Sequence, residues 1–315
     1  MVLDGLPRHA PRHRGRLGFA VKVLGGGGLP SHDSRRHASG PHLRVSLERL
    51  RAILAYLDDH DIRMYRMATA LAPYASHPDL PQFHRQVEDA AEELAATGAL
   101  ARELGVRLST HPGQYTVLNS KDERVRDLAV AELEVQAALL DGMGLGPEAV
   151  VVLHVGGAPG GVARGLDRFV AGFERLSERA RARLVVENDD RIYGLGDVLG
   201  LSARIGRPVV WDILHHHCHD PAAIPDDEAL DRALATWPAG VRPKIHFSSP
   251  RTTLGDRGPS PLRAHADLVD PIAFEQFLAH TAGDREFDVM LEAKGKDVAL
   301  LRLREQLAAR GYALQ

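Results

Sequence analysis

The amino-acid sequence predicts an α/β fold: a single (β/α)8 barrel of the TIM type, with a metal site at the C-terminal ends of its strands. Three observations predict it. Eight short β-rich apolar runs recur along the 315 residues, at 16–21, 62–67, 106–109, 150–155, 184–187, 208–212, 243–247 and 288–292. Longer segments rich in Ala, Leu, Glu and Arg separate them. Most of the runs end in, or are followed shortly by, a His, Asp or Glu.

The runs are continuous in Val, Ile and Leu rather than alternating, which marks strands buried on both faces and hence a parallel sheet. Two of the intervening segments show helical spacing: Leu47, Leu50, Ile53, Leu54 and Leu57, and Val130, Leu133, Ala137 and Leu140. Eight strands alternating with helices in a chain of this length suit a barrel. A doubly wound open sheet is the competing architecture.

Composition fits one large α/β domain. The apolar share of 44% and the charged share of 26% are those of a globular protein with a sizeable core. No run of 18 apolar residues occurs, so no membrane span is expected. The first residues hold arginines without an apolar stretch, which does not read as a secretory signal. Cys218 is the only cysteine, so no disulfide can form within the chain; a reducing cytoplasm is the expected location.

The net charge of −3 is low for a nucleic-acid binder. Carboxylates that hold divalent ions count as negative in that figure and are neutralised once loaded. The charge is also uneven: residues 1–51 hold ten Lys and Arg against Asp4, Asp33 and Glu48. Residues 1–15 are expected to be a basic, disordered tail and 16–315 the barrel domain. The four glycines at 25–28, followed by Leu29-Pro30, exclude a helix or regular strand. They lack the Lys-Ser/Thr of a Walker motif and the G-x-G-x-x-G spacing, so this stretch is expected to be a mobile loop.

The strand ends carry the chemistry. His77 follows the second run; the third ends in Thr110-His111, the fourth in His154 and the fifth in Glu187. The sixth ends in Asp212, the seventh contains Lys244 and His246, and the eighth ends in Glu292. Each group alone has an ordinary reading as a hydrogen-bonded or helix-capping residue. Together they need a shared reason, because ionisable groups are costly to bury singly. In a barrel the C-terminal strand ends converge on one mouth, and a metal is the simplest way to stabilise such a cluster. Asp212 and His215 are three apart, so one helical turn places both on one side. The His216, His217 and His219 that accompany them are expected outside the ligand set. All the donors are N and O, which suits Mn²⁺, Zn²⁺ or Fe²⁺.

These residues resemble the UV-damage endonuclease (UvdE) family. His-Pro-Gly-Gln-Tyr at 111–115, Leu-His-Val-Gly-Gly at 153–157 and Glu-Asn-Asp-Asp at 187–190 are similar to its motifs. So are Asp212 with His215, Lys-Ile-His at 244–246, His-Ala-Asp at 265–267, Leu-Glu-Ala-Lys-Gly-Lys at 291–296, Pro-Tyr-Ala-Ser-His at 73–77 and Arg-Leu-Gly-Phe at 16–19. The resemblance implies a TIM barrel with up to three metal ions, usually Mn²⁺. It implies that His77, His111, His154, Glu187, Asp212, His215, His246, His265 and Glu292 are ligands, that Glu187 and Lys244 serve catalysis, and that Lys244 is carboxylated on Nζ. It implies hydrolysis of double-stranded DNA on the 5′ side of UV photoproducts and of abasic sites by a metal-activated water. It implies that Gln114 and Tyr115 probe the lesion. No obligate protein partner is inferred.

The sequence departs from the family at Phe19 and Val23, where Tyr and Asn are usual. Lys294 and Lys296 have two readings, phosphate ligands or a solvated helix start. Three other functions stay open at this point: an abasic-site endonuclease resembling endonuclease IV, a metal-dependent sugar isomerase or epimerase on the same barrel, and a non-catalytic DNA-binding module.

Overall fold

A computed structural model describes residues 15–251 and 261–314. The tail expected over residues 1–15 lies outside the described residues, Gly15 apart. Eight strands fall where the apolar runs stand: β1 (Leu17–Ala20), β2 (Met64–Arg66), β3 (Arg107–Ser109), β4 (Val151–His154), β5 (Leu184–Glu187), β6 (Val209–Val210), β7 (Lys244–Phe247) and β8 (Asp288–Leu291).

All their pairings are parallel. They run in the order β3-β2-β1-β8-β7 and β4-β5-β6. Single parallel bridges close the two gaps, Thr110 to Val151 between β3 and β4, and Asp212 to His246 between β6 and β7. The result is a closed barrel with β1 beside β8, registered Leu17 to Val289 and Gly18 to Met290. The open-sheet alternative is excluded.

Helices cover the outside. Helix Leu43–Asp59 buries Leu47, Leu50, Ile53, Leu54 and Leu57 against the barrel, as their spacing requires. Helix Glu123–Gly142, capped by the Asp122 side chain, does the same with Leu133, Ala137 and Leu140. The outward face of each strand feeds this layer: Leu17, Phe19, Tyr65, Leu108, Leu153, Val186 and Ile245 all belong to one apolar cluster. Phe19 is fully buried there, edge-on to Tyr65 with ring centroids 5.4 Å apart, and Val23 lies in the same layer. Both departures from the family pattern therefore serve the core rather than the barrel mouth.

The inward face is not apolar throughout, as the continuous runs suggested. At the base, Arg107 and Asp288 form an ion pair of 2.8 Å with both side chains fully buried. Arg107 also donates to the carbonyls of Glu148 and Arg242, and Asp288 accepts from the backbone N–H of Arg16. A small apolar plug of Val150, Val152, Val185 and Val210 packs with Trp237, over whose ring the Arg107 guanidinium lies at 5.6 Å.

The glycine stretch expected to be mobile has defined tethers. Gly28 N–H donates to Gly25 O, and Leu29 N–H to Val23 O. Gly26, Gly27 and Gly28 have φ of +58°, +89° and +80°, a left-handed path that side chains disfavour.

Removing one partner of the basal ion pair leaves a buried charge alone. Asp288→Ala is expected to cost about 3–5 kcal/mol of folding stability, read by urea denaturation. A loss below about 1 kcal/mol would show that the pair does not brace the barrel.

Candidate metal centre

Parallel strands point their C-terminal ends at one mouth, and alternation decides which side chains enter it. Outward Leu153, Val186 and Ile245 are followed by inward His154, Glu187 and His246. The same alternation sends Arg66, Ser109 and Lys244 inward.

Glu187, fully buried, is the hub. Its Oε1 accepts from His246 Nδ1 at 2.8 Å and lies 3.7 Å from His215 Nδ1. Its Oε2 lies 2.9 Å from His111 Nε2 and 3.5 Å from His154 Nε2, yet has no hydrogen-bond partner. Glu292 comes within 3.3 Å of His246 Nδ1 and 4.0 Å of His265 Nε2. The imidazoles crowd one another, with centroids 5.1 Å apart for His111 and His154, 5.5 Å for His154 and His215, and 5.8 Å for His215 and His265.

Two groups of donors could each hold a divalent ion. One is His111, Glu187, His246 and Glu292; the other is His154, Glu187 and His215. Within each group the ligand atoms lie within 4.8 Å of one another, and Glu187 belongs to both. The orphaned atoms fit such occupancy. Glu187 Oε2, Asp212 Oδ2, His154 Nδ1, His246 Nε2 and His265 Nδ1 are buried without a hydrogen bond. Buried polar atoms in native proteins are normally satisfied, and all five belong to side chains of this cluster.

Asp212 both caps the helix Ile213–Cys218 and faces the mouth. Its Oδ1 accepts from His215 N–H at 2.8 Å while Oδ2 stays free. The helical turn places His215 beside it, as the spacing of three predicted. His216 turns away onto Trp211, and His217 pairs with Asp226 at 2.9 Å.

Charge crowding sets the protonation states. Burial would raise the Glu187 carboxyl, but His246, His154 and His111 hold it well below the usual carboxylate range. Asp212 is pushed up by burial and by the charges of Glu187 and Glu292. Burial would lower His215, yet Asp212, Glu187 and Glu292 lift it to about 9. Lys244, fully buried, donates to Ser109 Oγ at 3.1 Å; burial and the charges of Arg107 and Arg66 push its ammonium far down.

His77 stands apart from both donor groups. It is exposed, accepts from Asp79 N–H through Nδ1, and lines a groove of about 510 Å³ with Tyr74, Tyr115 and Arg124. Gln114 lines a second depression of about 650 Å³, together with Arg66, His111, His154 and His215. Tyr115, on the same loop, is 84% exposed.

Two partners of the site escaped the sequence reading. Arg66, the last residue of β2, is ion-paired with Glu292. Its strand-end position is the signal in the sequence, but a cation there does not declare itself as a neighbour of metal ligands. Asn188 exchanges two hydrogen bonds with the Asp212 backbone, at 2.9 and 3.0 Å, and its carbonyl meets His215 Nδ1 at 3.1 Å. It locks the β5 and β6 ends together.

A closed parallel barrel with a buried His/Glu/Asp cluster at its C-terminal mouth is the architecture of a TIM-barrel enzyme with a candidate metal centre. A model of the family "UV-endonuclease UvdE" matches residues 35–312. A UV DNA damage endonuclease of Bacillus velezensis is 34% identical over 286 residues, 89% of this chain and 85% of that one. Another from Bacillus pumilus is 36% identical over 260 residues, 81% and 78%. The solved structure of SacUVDE superposes with a TM-score of 0.81 at 29% identity, covering 95% of this chain and all of that one. A D-psicose 3-epimerase, at TM-score 0.52 and 13% identity over 91% and 89%, shares the fold. The chain belongs to the UvdE family of UV-endonucleases.

The raised His215 has a measurable consequence. A histidine lifted to about 9 on folding adds stability fully below its unfolded value near 6.5, lost as pH rises through 9. The metal-free protein is therefore expected to lose stability between pH 6.5 and 9, and His215→Asn to flatten that slope. Thermal denaturation in a pH series with chelator reads it; equal slopes would refute the assignment.

Proposed function

We propose that the protein is a metal-dependent DNA repair endonuclease that cuts double-stranded DNA on the 5′ side of UV photoproducts and of abasic sites. The observation that carries this reading is the Glu187 carboxylate shared between two donor groups, with Gln114 in the same depression as His111, His154 and His215 and the exposed Tyr115 next to it in the chain. The ligands would be His111, His154, Glu187, Asp212, His215, His246, His265 and Glu292, with His77 an outlying member. N and O donors suit Mn²⁺, of which up to three would bind. Bound there, divalent ions supply positive charge to the scissile phosphate and the leaving 3′-oxygen.

The chain's own residues hold that arrangement. Asn188 fixes Asp212 and His215, and Arg66 orients Glu292. Glu187 keeps its charge because three imidazoles face it. Lys244 is proposed to be carboxylated: its amine is held toward the neutral form, which adds to CO₂ and releases a proton to give a carbamate. The modification would turn a buried neutral amine into an anion facing the donors. Tyr115 would stack in the gap left by displaced bases, and Gln114 would bond their orphaned partners' edges. No described helix is long and apolar enough to cross a membrane, and DNA as the substrate supports the reading of a cytoplasmic location.

Mn²⁺-loaded protein is expected to nick a duplex carrying one photodimer on its 5′ side. Chelator should abolish the nick, and Glu187→Gln should lower kcat by about 10²–10³-fold. No incision with metal verified as bound would refute the reading. Incision at abasic sites alone would favour an activity like that of endonuclease IV, and sugar turnover without DNA binding an epimerase.

Lesion recognition has its own readout. Tyr115→Ala is expected to weaken binding of damaged duplex about tenfold, with intact duplex unaffected. Equal loss on both would place Tyr115 in general DNA contact rather than in probing.

A further inference from the structure

One group of charges at the barrel mouth has no part in the metal centre. Lys22 leaves β1 two residues after its last position, and Lys294 and Lys296 follow β8. β1 and β8 are neighbours, so these lysines share one sector of the rim. Lys22 and Lys294 are exposed and Lys296 half-buried. No described acid forms an ion pair with any of them, whereas Arg66 in the same sector is already paired with Glu292.

The backbone under them is held firmly. The fully buried Asp297 carboxylate accepts from Leu24 N–H at 2.7 Å, Gly25 N–H at 2.9 Å and Tyr56 Oη–H at 2.7 Å. A Cβ on Gly25 would come within 2.8 Å of that carboxylate and 2.9 Å of the tyrosine oxygen, so this tether requires glycine there. The loop after β1 and the helix start after β8 are thus one unit, although 273 residues separate Leu24 from Asp297.

Lys296 adds backbone strain. Its φ is +53°, a left-handed conformation that disfavours any side chain and that glycine adopts freely. Burial and the positive charges of Arg66, Lys22 and Lys294 also lower the lysine, against the opposing negative charge of Glu292. A cation without an ion-pair partner, in a strained conformation and with other cations nearby, is one that the phosphates of a polyanion would stabilise.

We propose that Lys22, Lys294 and Lys296 form a phosphate clamp that grips the DNA backbone beside the metal centre. The clamp rests on the endonuclease reading and adds to it a fixed contact with the strand on the β1–β8 side of the mouth. Its contacts are to phosphates, so it sets position and affinity without reading the lesion.

The variant Lys296→Gly separates function from structure, because it removes the charge and relieves the strain together. The expected result is an unchanged or higher Tm. KM for a photodimer duplex should rise about tenfold, with kcat changed less than twofold. In salt titrations of duplex binding, the slope of log K against log salt should fall by about 0.9. Lys22→Ala combined with Lys294→Ala should lower that slope by about twice as much, on intact and damaged duplex alike. Arg302→Gln, on the exposed flank of the helix Lys296–Ala308, is the charge-matched control and should leave the slope unchanged. A Lys296→Gly protein that keeps the parental slope and KM overturns the clamp, and so does an Arg302→Gln loss as large as that of the lysines. If the parent protein neither binds nor cuts DNA, the clamp falls with the endonuclease reading; if the parent cuts and only the lysine effects are missing, the clamp alone fails.

Discussion

A fully buried carboxylate with imidazoles on every side is the constraint on which the rest of this protein depends. Glu187 sits at the end of a strand whose other inward residue is apolar, in a place where an isolated charge would be prohibitively costly. Four histidines from four different strand ends approach it within 4 Å. No local segment could assemble that environment. Only a closed barrel brings the ends of β3, β4, β6 and β7 to one carboxylate, and the site and the fold therefore require each other.

The two ends of the barrel treat charge in opposite ways. At the base, Arg107 and Asp288 pair with one another and bond the nearby backbone, which leaves one buried guanidinium nitrogen, Arg107 Nη2, without a partner. At the mouth, carboxylate and imidazole atoms of several side chains lie buried without hydrogen-bond partners. The base is built for stability. The mouth carries unsatisfied binding capacity, which a divalent ion is suited to take up. Arg66 marks the transition, since it balances Glu292 at the rim of the cluster. The lysines beyond it are left over from that balance, which is why they remain available to a polyanion.

The strands, the amphipathic helices and most of the donors were legible in the sequence because each rests on short-range pattern. The Leu47 to Leu57 stripe reads as a helix from spacing alone, and His154, Glu187 and His246 read as strand ends. Arg66 and Asn188 were not legible, because their roles are contacts with Glu292 on β8 and with Asp212 beyond β6. His77 shows the limit from the other side: its motif pointed to the centre, while the fold places it on a groove beside Tyr115. Nor could sequence show that the glycine stretch after β1 is fastened to Asp297, near the far end of the chain.

The sequence by itself determined the number of strands, their parallel order and the chemical character of the mouth. Hydrophobic period and residue type act over a few neighbours, and both are written in the chain. The tertiary structure alone decided which side chains face inward together, which carboxylate is shared and which cations are left unpaired. Those outcomes depend on barrel closure, which brings residues hundreds of positions apart into contact, and no local pattern encodes that distance.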